Sequence, residues 1–261
     1  MKSADRKSVP VSLVVIVKNS ASSLRRCLES ASFVNEILVV DSGSTDETIA
    51  IAQECGARVL YQEWLGFGPQ KKFAVNQAKN DWVLCLDADE YLSEKLQDEI
   101  FNLFQGELVH EAYRFARCNL FLGRFLRHGE GYPDWSLRLF NRKNANWTEE
   151  LVHEKVRGTN GKLDVGTVYG DLMHESCESI ARYIEKQNNY TSIQASQMLV
   201  SGQYVPKLKI LISPIVRFIK YYFLKFGFVD GLPGFVHISI GCYSVFLKYC
   251  LLYTSPSPRD A

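Results

Sequence analysis

Four short apolar runs, separated by helical patterns, place the strongest constraint on the fold of this chain. They are Val11–Val17, Ile37–Val40, Arg58–Gln62 and Asp81–Leu86. Apolar runs rich in β-branched residues are typical of strands buried on both faces. The patterns around them predict helices over Ser22–Ser32, Ser44–Cys55, Pro69–Lys79 and Ser93–Gly106. This alternation predicts an α/β fold, a doubly wound and mostly parallel sheet with helices on both faces.

Local signals mark where these helices start and stop. Ser44-Thr45-Asp46-Glu47 fits a capping box, and Gly56 suits the C-cap of the same helix. Pro69 suits a first helical turn, and Ser93 is a typical N-cap.

Acidic residues follow two of the predicted strands. Asp41 ends the second strand, and Asp87 and Asp89 form a D-x-D pair after the fourth. Ligands of such sheets bind beyond the carboxyl ends of the strands. A D-x-D pair there suits Mg²⁺ or Mn²⁺ shared with phosphates, and Asp41 suits a base or ribose hydroxyl. A solvated turn and an ordinary strand–turn–helix joint are the alternatives. Neither a dinucleotide-binding G-x-G-x-x-G nor a Walker A loop is present.

The pattern changes after Gly106. "EAYRFAR", "WSLRLFN" and "LVHEKVR" predict shorter strands, and Glu178–Met198 predicts an amphipathic helix. "HGEGYPD" (His128–Asp134) has the glycines expected of a flexible lid. The sequence thus predicts an α/β domain over 1–175 and a helical region over 176–249.

The region from Leu208 to Tyr249 is apolar and aromatic with interspersed Lys and Arg. Its longest uncharged run, Gly231–Leu247, is shorter than the roughly 20 residues that a spanning helix needs. We therefore expect an interfacial helical hairpin on the inner leaflet of the membrane. The alternative is a helical subdomain that covers the sheet.

Charge and cysteine usage indicate the compartment. The net charge of +1 gives no indication of nucleic-acid binding. Seven cysteines without a C-x-x-C pair suggest reduced thiols of a cytosolic protein, and the N-terminal run is too short for a signal peptide. "CLLYTSPSPRDA" (residues 250–261) resembles a translated sequencing adapter, so we expect a non-native tail there.

Five segments together resemble a known family. They are "VSLVVIVKN", "EILVVDSGSTDET", "QKKFAVNQAKNDWVLCLDADE", "YPDWSLRLFNRK" and "LVHEKV". Over about residues 10–249 the chain resembles the family 2 inverting glycosyltransferases, and among them the WaaE/KdtX-type lipopolysaccharide core glucosyltransferases. The resemblance implies a GT-A fold, a nucleotide-sugar donor such as UDP-glucose, a Mg²⁺ or Mn²⁺ cofactor and single-displacement transfer. It also implies a lipid-linked glycan acceptor at the cytoplasmic face of the inner membrane, with the protein bound peripherally.

The resemblance assigns donor and metal roles residue by residue. Asp41 would hold the uridine, Asp89 the metal, and Asp87 the ribose or metal-bound water. His174 would reach metal or diphosphate, although a lone histidine is more often structural. The resemblance gives Arg138 the role of steadying phosphate or acceptor. Charge alone, without the resemblance, would let Lys72 or its neighbour Lys71 meet the phosphates at this strand end. A solvated helix face is the alternative for either lysine, and a structural ion pair is the alternative for Arg138.

The resemblance also requires one general base on the acceptor hydroxyl. Glu154 is the first candidate, with Asp134 and Glu150 as competitors, and His153 would orient its neighbour. Ser20 stands where the family often has Glu, which weakens any role for the first loop. Rival functions are transfer to a polyprenyl phosphate or another surface glycan, and a nucleotidyltransferase or nucleotide-binding regulator.

Overall fold

The computed structural model describes residues 8–149, 154–176, 179–202 and 205–254. The chain divides into two compact units. The first comprises Met1–Arg117 and Asp134–Glu175, and the second comprises Cys118–Pro133 and Ser176–Ala261. The predicted division after residue 175 stays a prediction, and residues 118–133 group with the later unit.

The first unit is built on a mixed β-sheet. Its strands are β1 (Val9–Val17), β2 (Val34–Asp41), β3 (Arg58–Tyr61), β4 (Trp82–Asp87), β5 (Glu90–Leu92), β6 (Ala112–Phe121), β8 (Asp134–Asn141) and β11 (Val165–His174). The end of β6, residues 118–121, belongs to the second unit, and there it pairs with β7 (Arg124–Phe125). The order is β3-β2-β1-β4-β8-β6-β11-β5. Pairings among β3, β2, β1 and β4 are parallel, whereas β8 pairs antiparallel with both β4 and β6. A separate hairpin joins β9 (Ala145–Trp147) to β10 (Val156–Gly158). The four predicted strands are confirmed, and they pair with one another in parallel.

Helices cover both faces of this sheet, as predicted. They are α1 (Ala21–Ser30), α2 (Thr48–Glu54), α3 (Phe67–Asn76) and α4 (Glu94–Leu103). Side chains alternate along β1, so Leu13 and Val15 join a core with α1, α2 and α4. Val14 joins a second core on the other face, with Ala74 and Val75 of α3.

The predicted capping box is wrong, whereas the Ser93 cap is confirmed. The Ser93 hydroxyl accepts a hydrogen bond from the Leu96 N–H at 3.3 Å. The second helix begins at Thr48 without a side-chain cap, because Ser44 turns back to donate to Asp41. Asp46 accepts from the Thr48 N–H at 3.0 Å instead. The third helix ends at Asn76, three residues before the predicted Lys79.

In the described part of the second unit the helices are α5 (Ile180–Val200), α6 (Leu208–Phe218) and α7 (Gly231–Thr254). A π-helical turn over Ile219–Leu224 and a 3₁₀ turn over Gly227–Asp230 connect α6 to α7. Within the described residues, one helical stretch, Gly227–Thr254, is long and apolar enough to cross a membrane, and little of it is buried. The length of the uncharged run therefore does not decide between lying on and crossing a membrane, because the helix continues past Lys248 to Thr254, although residues 250–254 belong to the predicted non-native tail.

Residues 127–130, at the start of the predicted lid, form hydrogen bonds and an ion pair within the second unit. Asp230 accepts hydrogen bonds from the N–H groups of Arg127 and His128 at 3.0 and 2.8 Å. Glu130 forms an ion pair with Arg217. A Cβ added to Gly129 would lie 3.2 Å from the Gly227 Cα, so this glycine permits close packing. These contacts hold residues 127–130 within the second unit, and a flexible lid stays a prediction.

Candidate active site

The parallel strands bring two acidic residues to one edge of the sheet. In the register of β1, Val17 lies opposite Asp41 on β2 and Ile16 lies opposite Asp87 on β4. The two aspartates therefore flank the carboxyl end of β1, where such sheets bind ligands.

Asp87 lies between two cations. Its Oδ1 is 2.9 Å from the Lys71 Nζ, and its Oδ2 accepts from an Arg138 guanidinium nitrogen at 2.7 Å. Burial would raise the pKa of Asp87, but the charges of Arg138 and Lys71 hold that pKa well below its ordinary value of 3.8. Arg138 is itself buried, and its Nε has no hydrogen-bond partner among the residues that the structure describes. Asp87 is therefore fixed as a carboxylate in a strongly positive setting.

Lys71, and not Lys72, is the lysine of this site. The Lys71 Nζ lies 3.1 Å from the Glu154 Oε1 and 4.7 Å from the centre of the Trp147 ring, and its side chain is 9% exposed. Lys72 is half-exposed and pairs with Glu149 on the protein surface. The placement supports the solvated-face alternative for Lys72. Lys71 joins Asp87 to Glu154, the first candidate base.

A second buried carboxylate, Glu90, extends the array towards Asp134. Glu90 is fully buried, and its Oε1 accepts from the Arg138 guanidinium at 2.7 Å. Arg117 lies 3.5 Å from Glu90 and donates twice to Asp134, at 2.9 and 2.6 Å. We call the resulting chain of alternating charges the charge network. Its members are Glu154, Lys71, Asp87, Arg138, Glu90, Arg117 and Asp134.

The predicted metal-binding residues are only partly brought together. Asp89 and the His174 Nε2 are 3.3 Å apart, on the β4–β5 turn and at the end of β11. Asp87 contacts Lys71 and Arg138 instead. Within the described ranges, no three His, Cys, Asp or Glu side chains form a complete metal site. One or two carboxylates completed by substrate phosphates are, however, how proteins usually hold Mg²⁺. Asp89, which is partly exposed, and His174 fit that arrangement.

Asp41 supports its own turn. The buried carboxylate accepts from the N–H groups of Gly43 and Ser44 at 2.8 and 3.1 Å, and from the Ser44 hydroxyl at 2.5 Å. Gly43 has a φ of +90°, a conformation that suits glycine. Asp41 thus shapes the loop at the end of β2.

An open cleft of about 350 Å³ lies at the end of β1. It is lined by Ile16, Val17, Lys18, Trp64 and Phe67. The Trp64 and Phe67 rings meet edge to face at 4.9 Å and are 44% and 52% exposed. Two exposed rings in a cleft provide a surface on which a planar ring can stack.

Sequence reasoning missed the roles of Glu90 and Arg117. Glu90 follows the D-x-D pair directly, so its position was visible, but its partners Arg138 and Arg117 come from β8, which lies beside β4, and from β6, which lies beside β8. Arg117 occurs in "EAYRFAR", where strand alternation gives no sign of an inward ion pair. Two residues considered for the site, Glu150 and His153, lie outside the described residues.

Comparisons with known proteins support the family. Residues 12–161 match the family described as "Glycosyl transferase family 2". An uncharacterized glycosyltransferase of Rickettsia felis is 33% identical over 94% of this chain and 90% of its own length. The lipopolysaccharide core biosynthesis glycosyltransferase LpsC of Rhizobium meliloti is 30% identical over 94% of this chain and 92% of its own length.

Two solved structures are more distant. TarS 1-349 of S. aureus, crystallised with UDP-GlcNAc, is 13% identical, with a TM-score of 0.48 over 92% of this chain and 91% of that one. Glucosyl-3-phosphoglycerate synthase of Mycobacterium tuberculosis, crystallised with Mn²⁺, UDP and phosphoglyceric acid, is 23% identical, with a TM-score of 0.36 over 44% of each chain. At these scores neither likeness bears on ligands or mechanism. The family match and the full-length relatives are sufficient: this chain has a GT-A-like fold and belongs to glycosyltransferase family 2.

Proposed function

We propose that the chain transfers glucose from UDP-glucose to a hydroxyl group of a lipid-anchored oligosaccharide such as the lipopolysaccharide core. The relative LpsC, a lipopolysaccharide core biosynthesis glycosyltransferase by name, supports a lipopolysaccharide acceptor, and the resemblance to WaaE/KdtX-type enzymes supports the sugar. The observation that carries the proposal is the position of Lys71. It joins Asp87, the candidate donor-side carboxylate, to Glu154, the candidate acceptor-side carboxylate.

The donor would bind along the carboxyl edge of the sheet. In this proposal the uracil ring enters the cleft beside Trp64 and Phe67, and the Asp41 loop holds the nucleoside. Asp87 holds the ribose, and Arg138 holds the diphosphate. Asp89 and His174 would hold Mg²⁺ or Mn²⁺, which stabilises negative charge on a diphosphate leaving group.

The transfer itself would be a single displacement. The acceptor oxygen forms a bond to the anomeric carbon as the bond from that carbon to the donor phosphate oxygen breaks, and the nucleoside diphosphate leaves. The Glu154 carboxylate takes the acceptor proton. Asp134 is the rival base, since it ends the same charge network on the other side.

A polyprenyl phosphate is the alternative acceptor. Its phosphate oxygen is already anionic and needs no general base. Loss of the Glu154 carboxylate would therefore abolish transfer to a sugar hydroxyl and spare transfer to a phosphate.

The second unit would bind the cytoplasmic face of the inner membrane. Many of its apolar side chains are more than 40% exposed; they include Leu208, Leu211, Ile215, Ile219, Phe223, Leu224, Phe226 and Leu232. Lys207, Lys209, Lys220 and Lys225 are interspersed among them and are exposed. Exposed apolar groups together with lysines suit an anionic lipid surface. Such binding would bring the enzyme to a lipid-linked acceptor.

Nucleotide binding tests the proposed function first. Thermal unfolding would be followed with UDP, GDP or CDP, each with and without Mn²⁺. A ligand at a hundred times its Kd stabilises a protein by about 2.7 kcal/mol, which gives a clear shift. We expect a shift with UDP that requires both Mn²⁺ and Asp89, with Asp89→Ala compared against the exposed control Glu99→Ala. A folded protein that responds to no nucleotide would refute the proposal.

A further inference from the structure

We infer that Glu90 is a positioning residue that limits how strongly Arg138 holds Asp87, and thereby keeps the Asp87–Asp89 turn able to accept a divalent cation. The inference rests on the proposed function, because it concerns the same donor site. It assigns a role to a buried carboxylate that would contact neither substrate nor metal.

Glu90 can act on the Asp87–Asp89 turn through two hydrogen bonds. One guanidinium nitrogen of Arg138 donates both to the Glu90 Oε1 and to the Asp87 Oδ2, each at 2.7 Å. The second oxygen of Glu90, Oε2, accepts from the Asp87 backbone N–H at 3.1 Å. Glu90 therefore competes with the Asp87 side chain for Arg138 and closes the turn that carries Asp89.

The charge balance predicts how loss of the Glu90 charge would affect binding of a divalent cation. The charge network contains four carboxylates and three cations. Without the charge of Glu90 the two signs would be equal in number, and Arg138 would hold Asp87 alone. The first change makes the turn more positive, and the second makes the Asp87 carboxylate less available to a cation. Both therefore oppose a divalent cation nearby, and burial strengthens the effect because screening is weak there.

A purely structural role is the competing explanation. Glu90 begins β5, whose neighbour in the sheet is β11, so its removal could simply loosen this edge. The two explanations differ in one readout. Loosening lowers the unfolding temperature, whereas a positioning role also changes the Mn²⁺ concentration at which nucleotide binds.

The test compares Glu90→Gln, Glu90→Asp and the exposed control Glu99→Gln. The Mn²⁺ concentration that gives half of the UDP-induced thermal shift is measured for each, and bound Mn²⁺ is counted by electron paramagnetic resonance. Glu90→Gln keeps the size of the side chain and removes its charge, so we expect it to raise that concentration at least about tenfold. Glu90→Asp keeps the charge and should lie closer to the wild type, and Glu99→Gln should match the wild type.

Three results would overturn the inference. The first is a folded Glu90→Gln protein with the wild-type Mn²⁺ requirement. The second is an equal loss in Glu90→Gln and Glu90→Asp, which would indicate shape and not charge. The third is failure of both variants to fold, which would make Glu90 a residue of the fold alone. Absence of any Mn²⁺-dependent UDP shift in the wild type would instead refute the proposed function itself.

Discussion

Lys71 and Lys72 are adjacent in the sequence but have different surroundings. Lys71 is buried between two carboxylates, whereas Lys72 forms an exposed pair with Glu149. Exposed ion pairs contribute little to the stability of the fold, whereas a positioned charge in a closed site can contribute much to stabilising a transition state. The helical period places one lysine inward and the next outward, so only the orientation of the helix identifies the functional one.

This difference gives the first prediction. Lys71→Met should lower kcat/KM by about a hundredfold, as expected for loss of one positioned charged group. Lys72→Met should change kcat/KM by less than about threefold, since its partner is on the surface. Both are measured as release of UDP from UDP-glucose with acceptor present. Equal losses in the two variants would contradict the assignment.

Glu154 and Asp134 compete for the role of general base. If Glu154 is the base, Glu154→Gln should lower kcat by about 10²- to 10⁴-fold and leave UDP binding unchanged. Asp134→Asn, which keeps a side chain of the same size near Arg117, should have a smaller effect on kcat. The reverse order would assign the base to Asp134. Full activity of Glu154→Gln on a polyprenyl phosphate would identify the other acceptor class.

At the scale of secondary structure, Glu36 connects three elements around the start of the sheet. Its buried carboxylate on β2 accepts from the Ser12 hydroxyl of β1 at 2.5 Å and from the Lys79 N–H at 2.6 Å. It also pairs with Arg58 of β3 at 2.8 Å. Burial would raise the pKa of Glu36, but these hydrogen bonds and the charge of Arg58 lower it below its ordinary value of 4.5.

The lowered pKa predicts a loss of stability in acid. The unfolded chain binds the proton more readily than the folded protein, so stability from Glu36 is present above the ordinary value of 4.5 and is lost as the pH falls below it. Glu36→Gln should lower the free energy of unfolding at pH 7 and flatten its dependence on pH between about 5 and 3. Urea unfolding at several pH values measures both effects. An unchanged slope in the variant would exclude this role of Glu36.

The four parallel strands of the first unit could be predicted because a strand buried on both faces appears in the sequence as a continuous apolar run. The start of α2 could not, because the first loop competes for its polar groups. Asn19 donates its backbone N–H to the Ser44 hydroxyl at 2.9 Å, and its side chain accepts from the Thr45 N–H at 2.8 Å. Capping rules consider one helix end at a time, and these partners are about 25 residues away in the sequence.

The candidate site shows the same limit. Asp41, Asp87 and Asp89 could be found from the sequence because each follows a strand, and the register confirms that Asp41 and Asp87 flank β1. The partners of Asp87 could not be found, because Arg138 comes from an antiparallel strand whose place in the sheet has no local signal. Local patterns therefore indicate the position of this candidate site better than they indicate its neighbours.

At the scale of the whole molecule, the proposed membrane contact predicts binding to lipid vesicles. The protein should bind vesicles that contain anionic lipid and dissociate at high salt, because screening weakens lysine contacts. Lys220→Gln with Lys225→Gln should weaken binding by about 30-fold, from roughly 1 kcal/mol per lysine. Lys95→Gln with Lys162→Gln, two exposed lysines of the first unit, serves as the matched control.

Extraction of native membranes distinguishes a surface-bound helix from a spanning one. A peripheral protein should be released from native membranes by alkaline carbonate. Retention after that treatment would show that the long apolar stretch over Gly227–Thr254 crosses the bilayer. That outcome would contradict the peripheral placement and leave the glycosyltransferase assignment intact.

The contacts of Asp230 and Arg217 with residues 127–130 limit where this chain can be shortened. Shortening the chain after Glu175 would remove both partners and leave residues 118–133 without the rest of their unit. Arg117 and Asp134, however, lie opposite each other in the antiparallel strands β6 and β8. A two-residue hairpin turn could join them directly. The second unit is thus an insertion and a tail that belong together, so a shortened version of the first unit would be designed by deleting both at once.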